Sequence, residues 1–264
     1  MKTALIAPAP MFALPSTETS ATSRVPPGQE SISLSARFTK NTINDVEGVD
    51  WKVKSTHGEI LFQGSGDSVD IALQPGTYEI TAIYANIQID KILDLQPESH
   101  LDANFVLQAG ELRVSPRLAK FDGSTPRSET LIYAMNGKDR GKLIATSATP
   151  GEIIKLAAGI YRLLAHFENS NTEAVTDVEV KAGIMRSVDV ALHAGLAHIT
   201  LNEPALAEWS IKPDQGSSLM TTATNVDAVL KPGHYTAEAV VDGLHISRSF
   251  TVIDGQEQLV VLPN

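Results

Sequence analysis

The residues from which chemistry would be built in this chain are seven histidines and a scatter of carboxylates: His57, His100, His166, His193, His198, His234 and His245. None falls in a His-Glu-x-x-His helix pattern or a dense His/Asp cluster of the kind that holds zinc. His193 and His198 bracket Ala194-Gly195. Their odd spacing puts two strand residues on opposite faces unless the glycine makes a bulge, so the pair reads as a solvated hinge rather than a metal site. Gly64-Ser65-Gly66-Asp67-Ser68 has the wrong residue order for a nucleophile elbow, and no helix follows, so it reads as a hairpin turn. Asn136-Gly137-Lys138-Asp139-Arg140-Gly141-Lys142 lacks the phosphate-loop pattern, and Asn-Gly between apolar runs signals a hairpin. Asn44-Asp45-Val46-Glu47-Gly48-Val49-Asp50 gathers acids before Trp51. Calcium takes about six or more oxygen ligands, so this set reads as a solvated loop, with calcium bridging between modules as the alternative. The expectation is no catalytic residue, no cofactor and no metal.

Composition narrows the classes further. The chain has 264 residues, 42% hydrophobic and 20% charged, enough to bury a core. Its net charge of −10 argues against a nucleic-acid surface, which needs clustered cations. It has no cysteine, which removes disulfides, thiolate metal sites and cysteine nucleophiles. No apolar run approaches the ~20 residues of a membrane-spanning helix.

Internal repetition is the strongest signal. Leu73-Gln74-Pro75-Gly76-Thr77-Tyr78, Leu156-Ala157-Ala158-Gly159-Ile160-Tyr161 and Leu230-Lys231-Pro232-Gly233-His234-Tyr235 share the phrase Leu-x-[Pro/Ala]-Gly-x-Tyr. A second phrase, Leu-x-Ala-Gly, recurs at Leu107 to Gly110 and at Leu192 to Gly195, and Trp51, Tyr133 and Trp209 stand upstream of the three glycines. After each Gly-x-Tyr the pattern alternates: Tyr78, Ile80, Ala82 and Tyr84; Tyr161, Leu163 and Ala165; Tyr235, Ala237 and Ala239. Period 2 means half-buried strands. About seven short strands per unit, with no sustained helical period, predict an all-β chain of three tandem Greek-key sandwiches. The units are 29–108, 109–193 and 194–264, the last trimmed by a strand or loop in its first half, and they join without a flexible linker.

Pro followed by Gly suits a type II turn, with the leucine closing one strand and the tyrosine opening the next. The structural corner is therefore Leu73, Gly76 and Tyr78, then Leu156, Gly159 and Tyr161, then Leu230, Gly233 and Tyr235. This phrase followed by an alternating strand resembles immunoglobulin-like and fibronectin type III modules, with their tyrosine corner. It is similar too to carboxypeptidase-regulatory-like and collagen-adhesin B-type modules. The resemblance implies a sandwich three times over, and such modules host many roles. Trp51 and Trp209 read as core residues.

Residues 1–28 form a Pro-rich arm or a degenerate signal segment. If retained, its apolar anchors Leu5, Ile6, Met11, Phe12 and Leu14 are candidates to dock on a partner protein rather than on the chain's own modules. The leading function is a non-enzymatic structural or interaction protein of the cell envelope, periplasmic or extracellular, acting on protein partners. A carbohydrate- or ligand-binding accessory module is the alternative, and an enzyme comes third.

Overall fold

In the computed structural model, residues 16–42, 45–121 and 123–263 are described, with side chains from residue 21 onward. The alternating runs form strands and no helix occurs among these residues. An N-terminal strand, β1 (Ser16–Arg24), precedes three sets of seven. The first set is β2 (Ser31–Arg37), β3 (Val49–Ser55), β4 (Ile60–Gly66), β5 (Ser68–Ala72), β6 (Gly76–Tyr84), β7 (Ile87–Leu95) and β8 (Ser99–Val106). The second is β9 (Ala109–Leu118), β10 (Ser128–Ala134), β11 (Leu143–Ser147), β12 (Ile153–Ala157), β13 (Gly159–Phe167), β14 (Glu173–Val180) and β15 (Met185–Leu192). The third is β16 (Gly195–Leu201), β17 (Ala207–Pro213), β18 (Leu219–Ala223), β19 (Asn225–Leu230), β20 (Gly233–Val241), β21 (Leu244–Val252) and β22 (Glu257–Leu262).

Each set makes two sheets. The larger are β4-β3-β6-β7, β11-β10-β13-β14 and β18-β17-β20-β21. The smaller are β5-β2-β8, β12-β9-β15 and β19-β16-β22, and in each the first and last strands of the repeat run parallel. An immunoglobulin constant domain instead puts its first, second, fourth and fifth strands in one sheet. The likeness to such modules therefore holds at the level of a two-sheet sandwich. All seven strands are present in the third repeat, so its shorter first half is a loss of loop. Residues 202–206 replace 119–127, and 214–218 replace 135–142.

Alternation explains the packing. Along β13, Gly159, Tyr161, Leu163, Ala165 and Phe167 are buried, while Arg162 between them is exposed. Trp51 and Trp209 are both 1% exposed, and each indole N–H donates across its sheet at 3.0 Å, to the Gly66 and Ala223 carbonyls. Each buried ring thus keeps its one polar atom satisfied. Trp51 meets Phe105 edge-on at 5.2 Å. Tyr133 is only half-buried, and the second core is built on Phe167, Ile132, Leu112 and Leu118. The cores run past the repeat boundaries: Ala109 packs into the first, and Leu196 and Val229 pack into the second.

Two expectations need correction. The Ser65 segment is no hairpin, because β4 and β5 lie in different sheets and only Asp67 separates them. It is a corner where the chain crosses the sandwich. The C-terminal part of the arm also does not stay off its own modules. β1 pairs antiparallel with β8 from Ser16 opposite Val106 to Arg24 opposite Ser99, making the first small sheet four-stranded. Residues 21–24 are all exposed, so backbone bonding to an open sheet edge holds this strand, not apolar anchors. Leu5, Ile6, Met11, Phe12 and Leu14 lie outside the described residues.

Candidate functional site

The second and third copies of the recurring phrase lie at the joints between repeats, and the first lies at the corresponding corner of the first repeat. Tyr78, Tyr161 and Tyr235 are buried and their hydroxyls donate to the carbonyl four residues back: Gln74 at 2.5 Å, Ala157 at 2.8 Å and Lys231 at 2.8 Å. Burial raises the pKa of all three phenols. Leu156 and Leu230 are buried, and Leu73 packs half-buried on the first core. The glycines are not type II turn residues. Gly76 and Gly159 have no positive φ and open their strands, and Gly233, at φ 158°, is nearly extended. Only Gly159 is short of space, since an added Cβ at Gly76 or Gly233 would make ordinary contacts. A Cβ at Gly159 would stand 3.2 Å from Asn136 Oδ1 and 3.3 Å from the Tyr161 ring, and at Gly76 it would lie 3.6 Å from the Tyr78 hydroxyl.

Into this corner reaches an asparagine from the preceding repeat. Asn171, between β13 and β14, accepts the Lys231 N–H at 2.9 Å through Oδ1 and donates Nδ2 to the Tyr235 hydroxyl at 2.9 Å. Its own N–H donates to Val229, whose N–H donates back to Asn169. Asn86, between β6 and β7, does the same for the next corner: its Oδ1 accepts the Ala157 N–H at 3.1 Å, and its side chain bonds to Tyr161. Around this joint, Ala158 N–H donates to Gln108 at 2.7 Å, and Lys155 Nζ lies 4.9 Å over the Tyr84 ring. Burial and the nearby Glu111 charge push the Tyr84 phenol up to about 12.

On the other side of each joint, a turn between the last two strands of one repeat meets the previous repeat. Gly183 lies against Phe38, Thr39 and Thr42. Gly255, at φ 73°, is so close to Ala119 and Lys120 that a Cβ would stand 2.8 Å from the Lys120 Cβ. Beside it, Asp254 Oδ2 takes both Lys120 Nζ and His193 Nδ1 at 3.2 Å. The His193 bond, with Lys120 adding to it, holds the Asp254 carboxyl below its usual range.

Between the first and second repeats these contacts leave a cleft of about 390 Å³, lined among others by Asn86, Gln108, Asn136, Asp139 and Tyr161. Asn136 Oδ1 accepts the Ile160 N–H, and its buried Nδ2 has no partner. The polar lining is mainly amide, with the Lys138 and Asp139 charges beside it, and the Tyr161 hydroxyl is already donated to Ala157. Among the described residues no group of three or more His, Asp or Glu is arranged to hold a metal.

The histidines resolve separately. His193 joins the second and third repeats through Asp254. His198, on β16, has Nδ1 2.6 Å from Asp227 and Nε2 2.6 Å from Glu257. Both nitrogens donate only in the imidazolium. Burial would lower its pKa, but the bonds and charges of the two carboxylates outweigh this and raise it. The raised value means a stabilising contribution that is full below about pH 6.5, the unfolded reference. It is lost as pH rises through the folded value. The melting temperature should therefore fall more steeply as pH rises beyond about 6.5 in the native chain than in His198→Gln. Parallel profiles for the two proteins would contradict this.

No protein-family model matches the chain, and no curated protein matches it. Solved structures do. The Bacillus anthracis TIE protein is similar at 18% identity over 89% of this chain, with a TM-score of 0.29, and the chain spans 50% of that protein's length. GBS52, the minor pilin of Streptococcus agalactiae, is similar at 15% identity over 61% of this chain and 94% of its own, with a TM-score of 0.30. A streptococcal ancillary pilin is similar at 12% identity over 89% of this chain and 98% of its own, again with a TM-score of 0.30. At these scores the likeness carries no argument about what this chain does.

Proposed function

We propose that this chain is a non-enzymatic structural or protein-interaction component whose three sandwiches are held as a semi-rigid array that spaces and presents surfaces to protein partners. The observation that carries the reading is the repeated asparagine joint, Asn86 into the second corner and Asn171 into the third. A chain evolved for free swinging would place a flexible linker there, whereas Gln108 alone separates β8, extended by Leu107, from β9. Placement in the cell envelope, periplasmic or extracellular, belongs to the same proposal and rests on the tandem-module build. No helix among the described residues is long and apolar enough to cross a membrane. Assignment of the modules to the immunoglobulin-like or collagen-adhesin B-type group is likewise part of the proposal. So is docking of the 1–15 segment, with Leu5, Ile6, Met11, Phe12 and Leu14, on a protein partner.

The test uses the absence of cysteine. Spin labels on Lys52→Cys in the first repeat and Met220→Cys in the third should give one narrow distance distribution. A broad distribution in the native background would defeat the semi-rigid reading.

The Asn136 amide supports a second reading. Its buried, unpartnered Nδ2 in an amide-lined cleft suits a small polyhydroxylated ligand such as a sugar. Shifts of the Asn86 and Asn136 side-chain amide resonances on titration with oligosaccharides would favour it, and their absence across a panel would leave the structural reading alone.

A further inference from the structure

Both joints use one device, and the first repeat carries its receiving half alone. At Ala157 and Lys231 the main-chain N–H is taken by an asparagine of the preceding repeat. The equivalent donor in the first repeat is the Gln74 N–H. Among the described residues nothing accepts it. Beside it the Tyr78 hydroxyl donates its hydrogen to the Gln74 carbonyl, which leaves the phenol oxygen able to accept. This corner is also less covered than the other two. Leu156 is 1% exposed and Leu230 0%, whereas Leu73 is only half-buried.

The surroundings of the open corner are apolar and held in place. Leu73 N–H donates to the Glu30 carbonyl at 3.2 Å, so the 25–30 crossover between β1 and β2 lies against it. Val25 N–H donates to the Glu98 carbonyl at 3.0 Å. The Glu30 carboxylate accepts the Gly28 N–H at 2.8 Å and the Glu98 N–H at 3.1 Å, and Glu30 is buried. The crossover and the turn between β7 and β8 are thereby fixed to one another. Around Leu73 they and the corner present Pro26, Pro27, Pro75 and Pro97, all exposed. Proline holds φ near −65°, so a partner docking on this rim orders little backbone. In the second and third repeats the turn equivalent to 96–98 meets the preceding sandwich at Gly183 and Gly255. In the first it carries Glu98 and is bonded by the crossover, which stands where such a sandwich would bear. The space left suits a loop.

We propose that this entry face of the first repeat is a docking site for a loop of a partner protein that presents an asparagine side chain. The amide oxygen accepts the Gln74 N–H, the amide NH2 donates to the Tyr78 hydroxyl, and apolar side chains of the loop lie on Leu73 and the prolines. The chain's own joints name the group, because both filled corners are filled by that amide. A carboxylate would bring acceptors alone, and an ammonium or guanidinium donors alone. A second copy does not supply the amide by the same route, since its turn between β20 and β21 is Asp242-Gly243. The proposal rests on the reading of the chain as a presenter of surfaces to protein partners, and it names one such surface.

The probe is a cyclised peptide of the chain's own joint loop, Glu168 to Thr172. Added at millimolar concentration to the isotope-labelled full chain, it should shift the Gln74 amide and the Leu73 methyl resonances. The Ala157 and Lys231 amides, already bonded, should stay where they are. In Asn171→Ala the third corner is vacated, and the Lys231 amide should then move as well. The same peptide with alanine in place of Asn171 should bind the first corner about tenfold or more weakly, having lost two hydrogen bonds. A Gln74 amide that does not move, whatever Lys231 does in Asn171→Ala, would overturn the proposal. So would equal shifts with the alanine peptide. Either failure leaves the spin-label test of the semi-rigid array intact, and a broad distance distribution there would not change the shifts at Gln74.

Discussion

Gly110→Ala is expected to destabilise the chain by about 3 kcal/mol or more, among the largest effects of adding one methyl group anywhere in it. The new Cβ would stand 2.2 Å from the Lys181 carbonyl, 2.9 Å from Val180 Cγ1 and 3.1 Å from the Ile184 carbonyl. Two of these are main-chain atoms of the turn between β14 and β15, so no side-chain rotation relieves the overlap. The turn must move, and the Gly183 N–H bond to Ala109 at 2.7 Å goes with it. Gly195→Ala repeats the experiment in the third repeat, where the Cβ would lie 2.5 Å from the Ile253 carbonyl. Gly137→Ala is the control: its φ is 70°, but nothing lies within 4 Å of an added Cβ, so only the backbone penalty of about 1 kcal/mol applies. Denaturant unfolding of the three variants measures the difference. Equal losses at Gly110 and Gly137 would show that the close approach does not matter.

The second large effect is expected at Asn171. Alanine there removes the acceptor of the Lys231 N–H and the donor to the Tyr235 hydroxyl, both at 2.9 Å. The loss should be about 2 kcal/mol, from two bonds at a joint where Tyr235 is 3% exposed. Its signature should be a split calorimetric transition, the third repeat melting ahead of the first two. Asn171→Asp keeps the acceptor and loses the donor, and should fall between native and alanine. A single unsplit transition in Asn171→Ala would mean that the shared packing of Leu196 and Val229 in the second core couples the repeats without help from the asparagine.

Much of the architecture was legible because it is written in periodicity and repetition. The alternation after Tyr78, Tyr161 and Tyr235 marks β6, β13 and β20, and burial follows it residue by residue along β13. Trp51 and Trp209 were readable as core for the same reason. The joints were not legible, because their partners sit in loops of unequal length. Asn86 and Asn171 stand at different distances from their own tyrosines, so aligning the phrases does not align them. The reason for Gly110 and Gly195 was also hidden. Their spacing repeats, but the atoms that forbid a side chain come from a turn some seventy or sixty residues further on. The phrase glycines misled in another way. Pro-Gly suggests a turn that needs φ > 0, yet Gly76 has no positive φ and Gly233 is nearly extended, and of the three only Gly159 is crowded, by Asn136 and the Tyr161 ring. At the N-terminus, counting seven strands as a complete set ignored that a small sheet with a bare edge can still take an eighth, and β1 does so.

The parallel pairing of first and last strands, β2 with β8, β9 with β15 and β16 with β22, settles how tension passes through the molecule. Two parallel neighbours begin at the same end of their sheet, so the chain enters a repeat at one end and leaves it at the other. Pulling the two ends apart slides those strands past each other along their length, and the ladder bonds between them share the load together instead of opening one at a time like a zip. The bonds that close each sandwich against water are therefore the same bonds that would resist its being stretched.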